Sequence, residues 1–275
     1  MVEPTTGLTT GLTTGPTRAL VIGATSGIGR AIALRFAEEG WDLVLAGRDA
    51  GRGAAAAEAC RGLGAAGARF EAVDVADPAS VAALAGVVGT PDVLVNSAGV
   101  LQSGQPVLAQ DLDEDERLWR INYRGTLVAC QIFGARMAQA GGGAILNLGS
   151  LASFAPLSLP AYAPGKRAVL ALTEMLAAEL GPRCVRVNAV APGYTLSDGL
   201  KAKIAAGERD PEAIVATAAL RRFVAPRDVA EAALFLCSDR AASITGVTLP
   251  VDAGWLVQAP YAQYLRGNPL KEPDQ

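Results

Sequence analysis

From Arg18 onward the sequence alternates between short apolar runs and segments with helical spacing, and this alternation limits the fold more than any other feature. The run at 19–22 ends at a glycine. Ile28, Ile32 and Phe36 follow it four residues apart, so they share one face of a helix. Strands separated by helices in this way pair in parallel through right-handed crossovers. The sequence therefore predicts a doubly wound α/β fold, with a parallel sheet of about seven strands between two layers of helices.

The same pattern sets the expected boundaries. Strands are predicted at 19–22, 42–46, 69–74, 92–96, 144–148, 184–190 and 247–251, and helices at 27–39, 111–140, 161–180 and 229–237. Residues 18–256 are expected to form one domain, because no linker divides them. A threonine- and glycine-rich repeat predicts a flexible tail at 1–17. The extension at 257–275 would either cap a neighbouring subunit's site or cover an oligomer face.

Composition excludes several classes of protein. The net charge of −3 gives no basic footprint for nucleic acid. The longest uncharged stretch, 137–165, is broken by glycine and proline, so no membrane span is expected. The N-terminus lacks a secretory signal pattern and the four cysteines are scattered, which favours a cytoplasmic protein with free thiols. The chain has no histidine, which excludes Ser-His-Asp hydrolases and histidine-ligated zinc, and we expect no metal site.

Glycine punctuates the turn after the first predicted strand. Gly23, Gly27 and Gly29 precede and open the first helix, where backbone N–H groups can approach a pyrophosphate. Alternatively, the turn serves only tight packing of strand against helix. In parallel sheets of this type, ligands bind outside the carboxyl ends of the strands. Ser150 and the Pro192–Gly193 pair also fall at or just after strand ends, so they are expected on the same rim.

Several motifs together resemble the short-chain dehydrogenase/reductase family. They are the glycine turn at 23–29, Asp74 and Val75, Asn96 to Gly99, Asn122, Asn147 to Ser150, Tyr162 with Lys166, Pro192 and Gly193, and Val251 with Asp252. The resemblance covers about 18–255 and implies a Rossmann-type, three-layer α/β/α fold. It departs from the family pattern at Ile22, where threonine is usual, at Ser97, where asparagine is usual, and in the Ser150 to Tyr162 spacing, which is one residue short.

The resemblance implies an oxidoreductase with Tyr162 as general acid and base. Tyr162 and Lys166 lie one helical turn apart, and a neighbouring ammonium would lower the pKa of the phenol. Ser150, preferred over Ser153, would hydrogen-bond the substrate oxygen. Asn122 would sit where the long helix is distorted and support a proton relay to Lys166. On its own, the Tyr162–Lys166 pair is more simply explained as an amphipathic helix face with a lysine reaching to solvent.

The residues that select between NAD(H) and NADP(H) are expected at the end of the second strand. Gly47 occupies the position that is acidic in NAD-binding folds, and Arg48 after it suits a 2′-phosphate, so NADP(H) is predicted. Asp49, and Ser26 in place of a second basic residue, leave NAD(H) open. The predicted cofactor-binding residues are Gly23, Thr25, Ser26, Gly27, Ile28, Gly29, Arg48, Asp74, Val75, Asn96, Ala98, Gly99, Tyr162, Lys166, Pro192, Gly193 and Thr195.

The substrate pocket is expected to be mostly apolar, bordered by a mobile segment at about 196–217. Its predicted walls are Ser150, Leu151, Ala152, Phe154 and Tyr194. Such walls suit a small carbonyl compound or alcohol, and the leading function is carbonyl–alcohol interconversion with NADP(H). The alternatives are NAD-dependent oxidation of a sugar or polyol, and a catalytically silent nucleotide-binding protein. The family is usually dimeric or tetrameric, so a homo-oligomer contacting through the helices at 111–140 and 161–180 is expected.

Overall fold

The structure, a computed structural model, describes residues 17–264 of the 275-residue chain. Its strands are β1 (Arg18–Ile22), β2 (Asp42–Gly47), β3 (Gly67–Ala72), β4 (Val93–Asn96), β5 (Gly143–Leu148), β6 (Val185–Pro192) and β7 (Thr248–Val251). Its α-helices are α1 (Gly27–Glu38), α2 (Ala50–Gly62), α3 (Pro78–Val88), α4 (Leu112–Trp119), α5 (Gly125–Ala140), α6 (Tyr162–Leu180), α7 (Asp198–Ala205), α8 (Pro211–Ala216), α9 (Pro226–Cys237) and α10 (Trp255–Tyr264).

The strands form one parallel sheet in the order β3-β2-β1-β4-β5-β6-β7, which confirms the predicted Rossmann-type doubly wound topology. The chain winds outward from β1 to β3, returns to β4 beside β1, and then winds the other way. Between β1 and β4, Ile22 lies opposite Asn96, and between β4 and β5, Asn96 lies opposite Asn147. This register brings the carboxyl ends of the three central strands together at the switch point, where such folds bind ligands.

Apolar side chains cover both faces of the sheet, which gives the three layers. On one face Phe36 of α1 packs in a cluster with Leu45 of β2 and residues of α9. On the other, Phe133 of α5 packs with Leu94 of β4 and residues of α3 and α6. Ion pairs also join α1 to α9, since Arg35 Nε lies 2.9 Å from Glu231 Oε1. Both helical layers are therefore anchored to the sheet that carries the site.

The seven predicted strands are all present, with ends shifted by up to two residues. The helix predicted over 111–140 is present as one helical stretch that begins at Leu112, in which α4 and α5 flank a five-residue π-helical turn, Arg120–Arg124. The segment predicted as mobile, 196–217, contains α7 and α8. The predicted tail at 1–17, except for its last residue, and the extension beyond Tyr264 lie outside the described residues. No helix within 17–264 has the length and apolar character needed to cross a membrane.

Candidate active site

A cavity of about 900 Å³ opens at the carboxyl ends of the central strands. Of the seventeen residues predicted to bind cofactor, its wall contains all except one: Gly23, Thr25, Ser26, Gly27, Ile28, Gly29, Arg48, Asp74, Val75, Ala98, Gly99, Tyr162, Lys166, Pro192, Gly193 and Thr195. Ser150 and Tyr194 also line it. The cavity is at the large end of the range of ligand pockets in proteins. Residues far apart in sequence thus meet around one space large enough for a dinucleotide and a small substrate.

The glycine turn is packed too closely for any other residue at two positions. Gly23 has a φ of 90°, and a Cβ there would lie 2.4 Å from the backbone nitrogen of Ala98. A Cβ on Gly29 would lie 2.2 Å from the carbonyl oxygen of Gly23. Ser26 makes no side-chain cap to α1, so the N–H groups of this first turn are left for another partner. The turn serves close packing and also fits the phosphates of a nicotinamide dinucleotide.

Tyr162 and Lys166 lie in the first turns of α6, both buried yet both on the cavity wall. Lys166 Nζ donates to the carbonyl oxygen of Leu148 at the end of β5, at 2.7 Å. The same nitrogen lies 5.8 Å from the centre of the Tyr162 ring. The lysine is therefore held by the sheet beside the phenol and does not extend to solvent, which argues against the amphipathic-helix alternative.

Burial sets the protonation of this pair. It lowers the pKa of Lys166 from 10.5 to about 8 and raises the pKa of Tyr162, while the hydroxyl of Ser150 acts on Tyr162 in the opposite direction. The expected lowering of the Tyr162 pKa by Lys166 is not what this structure shows, because desolvation of the phenol outweighs the other effects. Tyr162 is therefore a protonated phenol at neutral pH.

The two candidate serines have different surroundings. Ser153 is buried, and its Oγ donates to the carbonyl oxygen of Lys166 at 2.9 Å and accepts from the N–H of Ser150 at 3.2 Å. Ser150 lines the cavity, and its Oγ accepts from the N–H of Ala152 at 3.2 Å. Ser150 thus presents its hydroxyl to the cavity beside Tyr162, whereas the hydroxyl of Ser153 both donates and accepts within the fold. This arrangement favours Ser150.

Asn122 lies in the π-helical turn, at the predicted distortion, but its side chain does not line the main cavity. Its Oδ1 accepts from the N–H of Val100 at 2.8 Å, and its Nδ2 donates to the Val100 carbonyl at 3.0 Å. A Cβ on Gly99 would lie 3.1 Å from Asn122 Oδ1 and 3.7 Å from Lys166 Nζ. Asn122 therefore holds the segment after β4 against the lysine, and its part in a proton relay stays a prediction.

Asn96 is the predicted cofactor residue that does not line the main cavity. It is buried, and its Nδ2 donates to Asn147 Oδ1 at 2.9 Å. Asn147 Nδ2 donates to Thr173 Oγ1 at 3.0 Å, which donates to the carbonyl of Val169 at 2.8 Å. The side chain faces the helical layer of α5 and α6, because alternate residues of a strand face opposite sides of the sheet, and this row of hydrogen bonds ties β4 and β5 to α6.

Three predicted substrate-wall residues are not on the cavity wall. Leu151 and Ala152 are buried in a short 3₁₀ turn that carries their side chains into the protein, and Phe154 after it is 40% exposed. The wall instead includes Val100, Leu101 and Ile121, which the sequence did not indicate, and Ser197 and Leu200, which lie in the segment expected to border the pocket. They come from the loop after β4, from the π-helical turn and from the start of α7, and no local pattern reveals which way these segments turn.

The wall beyond β2 carries more charge than predicted. Arg48 is exposed on it, and Asp49 and Arg52 line it as well. Asp49 begins α2 as its N-cap: Oδ1 accepts from the N–H of Arg52 at 2.9 Å and Oδ2 accepts from its Nε at 2.7 Å. The carboxylate that left NAD(H) open is thus already engaged, and a second arginine lines the same cavity as Arg48.

A family model described as enoyl-(acyl carrier protein) reductase matches residues 23–256. The chain belongs to the short-chain dehydrogenase/reductase family. Within this family, it is 41% identical over 245 residues to D-threitol dehydrogenase of Mycolicibacterium smegmatis, covering 87% of this chain and 93% of that protein. It is 35% identical to the NAD-dependent glycerol dehydrogenase of Listeria innocua, covering 87% of this chain and 94% of that protein.

Solved structures of the short-chain dehydrogenase/reductase family agree with the fold. A structure described as an NAD(P)-dependent gluconate 5-dehydrogenase from Beutenbergia cavernae, with bound NADP at low occupancy, aligns with a TM-score of 0.82 and 35% identity. The alignment covers 89% of this chain and 98% of that one. Together these likenesses make the protein an oxidoreductase that acts on CH–OH groups with a nicotinamide cofactor.

Proposed function

We propose that this protein interconverts a carbonyl compound and a secondary alcohol with NADP(H), using Tyr162 as general acid and base. The observation that carries the proposal is the meeting of Tyr162, Lys166 and Ser150 in the cavity that also contains the glycine turn. When bound, the cofactor supplies or accepts a hydride. The glycine turn, Asp74 and Val75, and the Pro192–Gly193 pair would hold it.

The three polar side chains divide the proton chemistry among them. Ser150 Oγ–H donates to the substrate oxygen and stabilises negative charge there. Tyr162 gives its phenolic proton to that oxygen in the reductive direction and removes it in the oxidative direction. Because burial raises the pKa of Tyr162, the phenol is protonated at neutral pH, so reduction proceeds there and oxidation needs a higher pH. Lys166, charged below its pKa of about 8, favours the phenolate as it forms.

The preference for NADP(H) rests on the charges at the end of β2. Gly47 leaves no carboxylate at the strand end, Asp49 is engaged by Arg52, and Arg48 is exposed on the cavity wall. Guanidinium groups suit a phosphate because their planar fork binds two oxygens at once. We therefore assign the 2′-phosphate to the space beside Arg48 and Arg52.

A second candidate function is NAD-dependent oxidation of a polyol or sugar. The observation that favours it is the likeness to D-threitol dehydrogenase and to an NAD-dependent glycerol dehydrogenase. Equilibrium titrations with NADPH and NADH, followed by fluorescence at one ionic strength, separate the two candidates. NADPH bound at least about tenfold more tightly, about 1.4 kcal/mol, supports the first, and the reverse preference supports the second.

The catalytic assignment is tested with Tyr162→Phe, which removes only the phenolic oxygen. Turnover should fall by about 100-fold or more, while the dissociation constant for NADPH stays within about twofold. Tyr261→Phe, at a position 57% exposed, is the matched control and should retain activity. Unchanged turnover in Tyr162→Phe would refute the assigned chemistry. If the unsubstituted protein binds neither NADPH nor NADH, the alternative of a catalytically silent protein on this fold is favoured instead.

We also propose that the protein forms a homodimer or homotetramer. Apolar side chains exposed on α4 and α6, namely Leu112, Trp119 and Met175, support a contact through these helices. Light scattering on the protein as it elutes from a size-exclusion column measures the mass of the assembly directly. A mass equal to one chain would refute the assembly.

A further inference from the structure

Gln102 is a buried side chain in the loop after β4 that contacts the start of α6. Its Oε1 accepts from the N–H of Ala161 at 2.9 Å and from the N–H of Tyr162 at 3.1 Å. Its Nε2 donates to Gln110 Oε1 at 2.8 Å. This one amide therefore joins two loops to the residue that carries the proposed acid–base chemistry.

The first turn of α6 depends on this outside acceptor. A helix leaves its first N–H groups without partners, and they are usually satisfied by the N-cap side chain. Here the N-cap is Ala161, which has no acceptor to offer. The N–H of Ala163 donates to the carbonyl of Leu159 at 2.8 Å, and Pro164 has no N–H. That leaves the N–H groups of Ala161 and Tyr162, both in buried residues, to Gln102.

The orientation of the Gln102 amide is fixed by its partners. A backbone N–H can only donate, so the oxygen must face α6 and the nitrogen must face Gln110. Gln110 Oε1 accepts a second hydrogen bond from Gln105 Nε2 at 2.7 Å, which holds it in place. The same loop presents Val100 and Leu101 to the cavity. Gln102 thus couples one wall of the cavity to the first turn of α6.

We propose that Gln102 is a positioning residue for the reaction, one that fixes Tyr162 relative to Ser150 and the cavity by capping α6 from outside the helix. The proposal rests on the function proposed above for Tyr162. Tyr162 is the first residue of α6, and helix ends fray where they lack caps. A buried, uncapped first turn would either loosen or shift to find water, and a displacement of about 1 Å in a reacting group can lower a rate about 100-fold.

The test replaces Gln102 by methionine, which keeps the length and removes the acceptor. We expect kcat to fall by about tenfold to about 100-fold, while the dissociation constant for NADPH stays within about twofold. In Gln102→Glu the buried carboxyl keeps its carbonyl oxygen toward α6 and, when protonated, donates its O–H to Gln110 Oε1 in place of the amide. This variant should recover most of the lost kcat. Gln105→Met, which disturbs the same loop without touching α6, should keep wild-type kcat.

Three outcomes overturn the proposal: unchanged kcat in folded Gln102→Met, an equal loss in Gln105→Met, or no recovery in Gln102→Glu. Circular dichroism and urea unfolding establish that each variant is folded at the assay temperature. If Gln102→Met does not fold, Gln102→Asn replaces it, because its oxygen stops one methylene short of α6. Tyr162→Phe is assayed alongside: if it keeps full turnover, the proposed function fails, whereas its loss with intact Gln102→Met turnover overturns the positioning role alone.

Discussion

Arg52 is held twice by Asp49, through its backbone N–H at 2.9 Å and its Nε at 2.7 Å. These hydrogen bonds, the backbone one first, keep the pKa of the Asp49 carboxyl below its usual value. The carboxylate is therefore ionised and engaged throughout the working pH range. A ribose hydroxyl would have to compete with Arg52 for it, whereas a phosphate would meet Arg48 and Arg52 as donors.

Cofactor selectivity should follow these two arginines. Arg48→Ala is expected to weaken NADPH at least about tenfold and NADH by less than about twofold, and Arg52→Ala should act in the same direction. Arg61→Ala, at the other end of α2 and off the cavity wall, is the control and should change neither. The measurement is fluorescence titration with both cofactors. Equal weakening of both by Arg48→Ala would contradict the assignment.

Lys166 should make stability depend on pH in one window. Its pKa is about 8 in the folded protein and 10.5 for an unburied lysine. Between these values the unfolded chain binds more protons, so the stability that Lys166 contributes rises with pH. Lys166→Met lacks this term, and its melting temperature relative to wild type should therefore decline from pH 8 to pH 10. It should also lose activity, since the variant has no ammonium beside Tyr162.

The difference between the melting temperatures of wild type and Lys166→Met, followed against pH, measures the contribution of Lys166 alone. Burial raises the pKa of the Cys60, Cys130 and Cys237 thiols, so these groups lower stability at alkaline pH, but they do so equally in both proteins. Lys201→Met, at an exposed position, is the control and should show no such trend. A flat difference for Lys166→Met between pH 8 and pH 10 would contradict the burial of a charged lysine.

Alanine at Gly23 should disrupt the turn, whereas alanine at Gly86 should not. The Gly23 Cβ would overlap the backbone at Ala98 and require a strained positive φ, so NADPH binding and stability should both be lost. Gly86 lies inside α3, and its Cβ would meet nothing within 4 Å. Gly86→Ala should stabilise the protein by up to about 1 kcal/mol. Urea unfolding with cofactor titration measures both, and retained binding in Gly23→Ala would refute the close packing.

Thr173→Val should destabilise the fold without touching the cavity. The change leaves Asn147 Nδ2 with no acceptor in a fully buried position, which costs about 1–3 kcal/mol. The same substitution at exposed Thr217 removes a hydrogen bond to Ile214 that water can replace, so it should change the free energy of unfolding by less than about 0.5 kcal/mol. Urea unfolding measures both. Equal changes in the free energy of unfolding at the two positions would show that the buried hydrogen bond stabilises the fold no more than the exposed one.

Local periodicity was enough to predict the sheet, because buried parallel strands are short apolar runs between helical segments. It also placed Tyr162 and Lys166 together, since their spacing puts them one turn apart. The direction of the Asn96 side chain could not be predicted, because a residue at a strand end can face either the cleft or a helical layer. In the structure Asn96 donates to Asn147, and its side chain faces the helical layer of α5 and α6.

Contacts between segments distant in the chain could not be predicted from the sequence. Gln102 reaches residues about 60 positions away, and no spacing rule connects them. The net rise of the Tyr162 pKa was also not predicted, because it comes from burial of the phenol, which depends on how loops close over α6. The π-helical turn was foreseen only as a distortion near Asn122, since its helical spacing resembles that of the flanking helices.

The row of hydrogen bonds from Asn96 through Asn147 to Thr173 runs in one direction and ends on a helix carbonyl. Each member uses a donor toward α6 and the next presents an acceptor toward β4. Inverting one member or making it apolar leaves its neighbour with, at most, the weakly hydrogen-bonding thiol of Cys130, which lies 3.3 Å from Asn96 Nδ2 and 3.6 Å from Asn147 Oδ1. A change that leaves no buried polar group unsatisfied would therefore replace all three residues together by apolar residues of equal total volume. The smallest such change to this part of the core is a triple substitution.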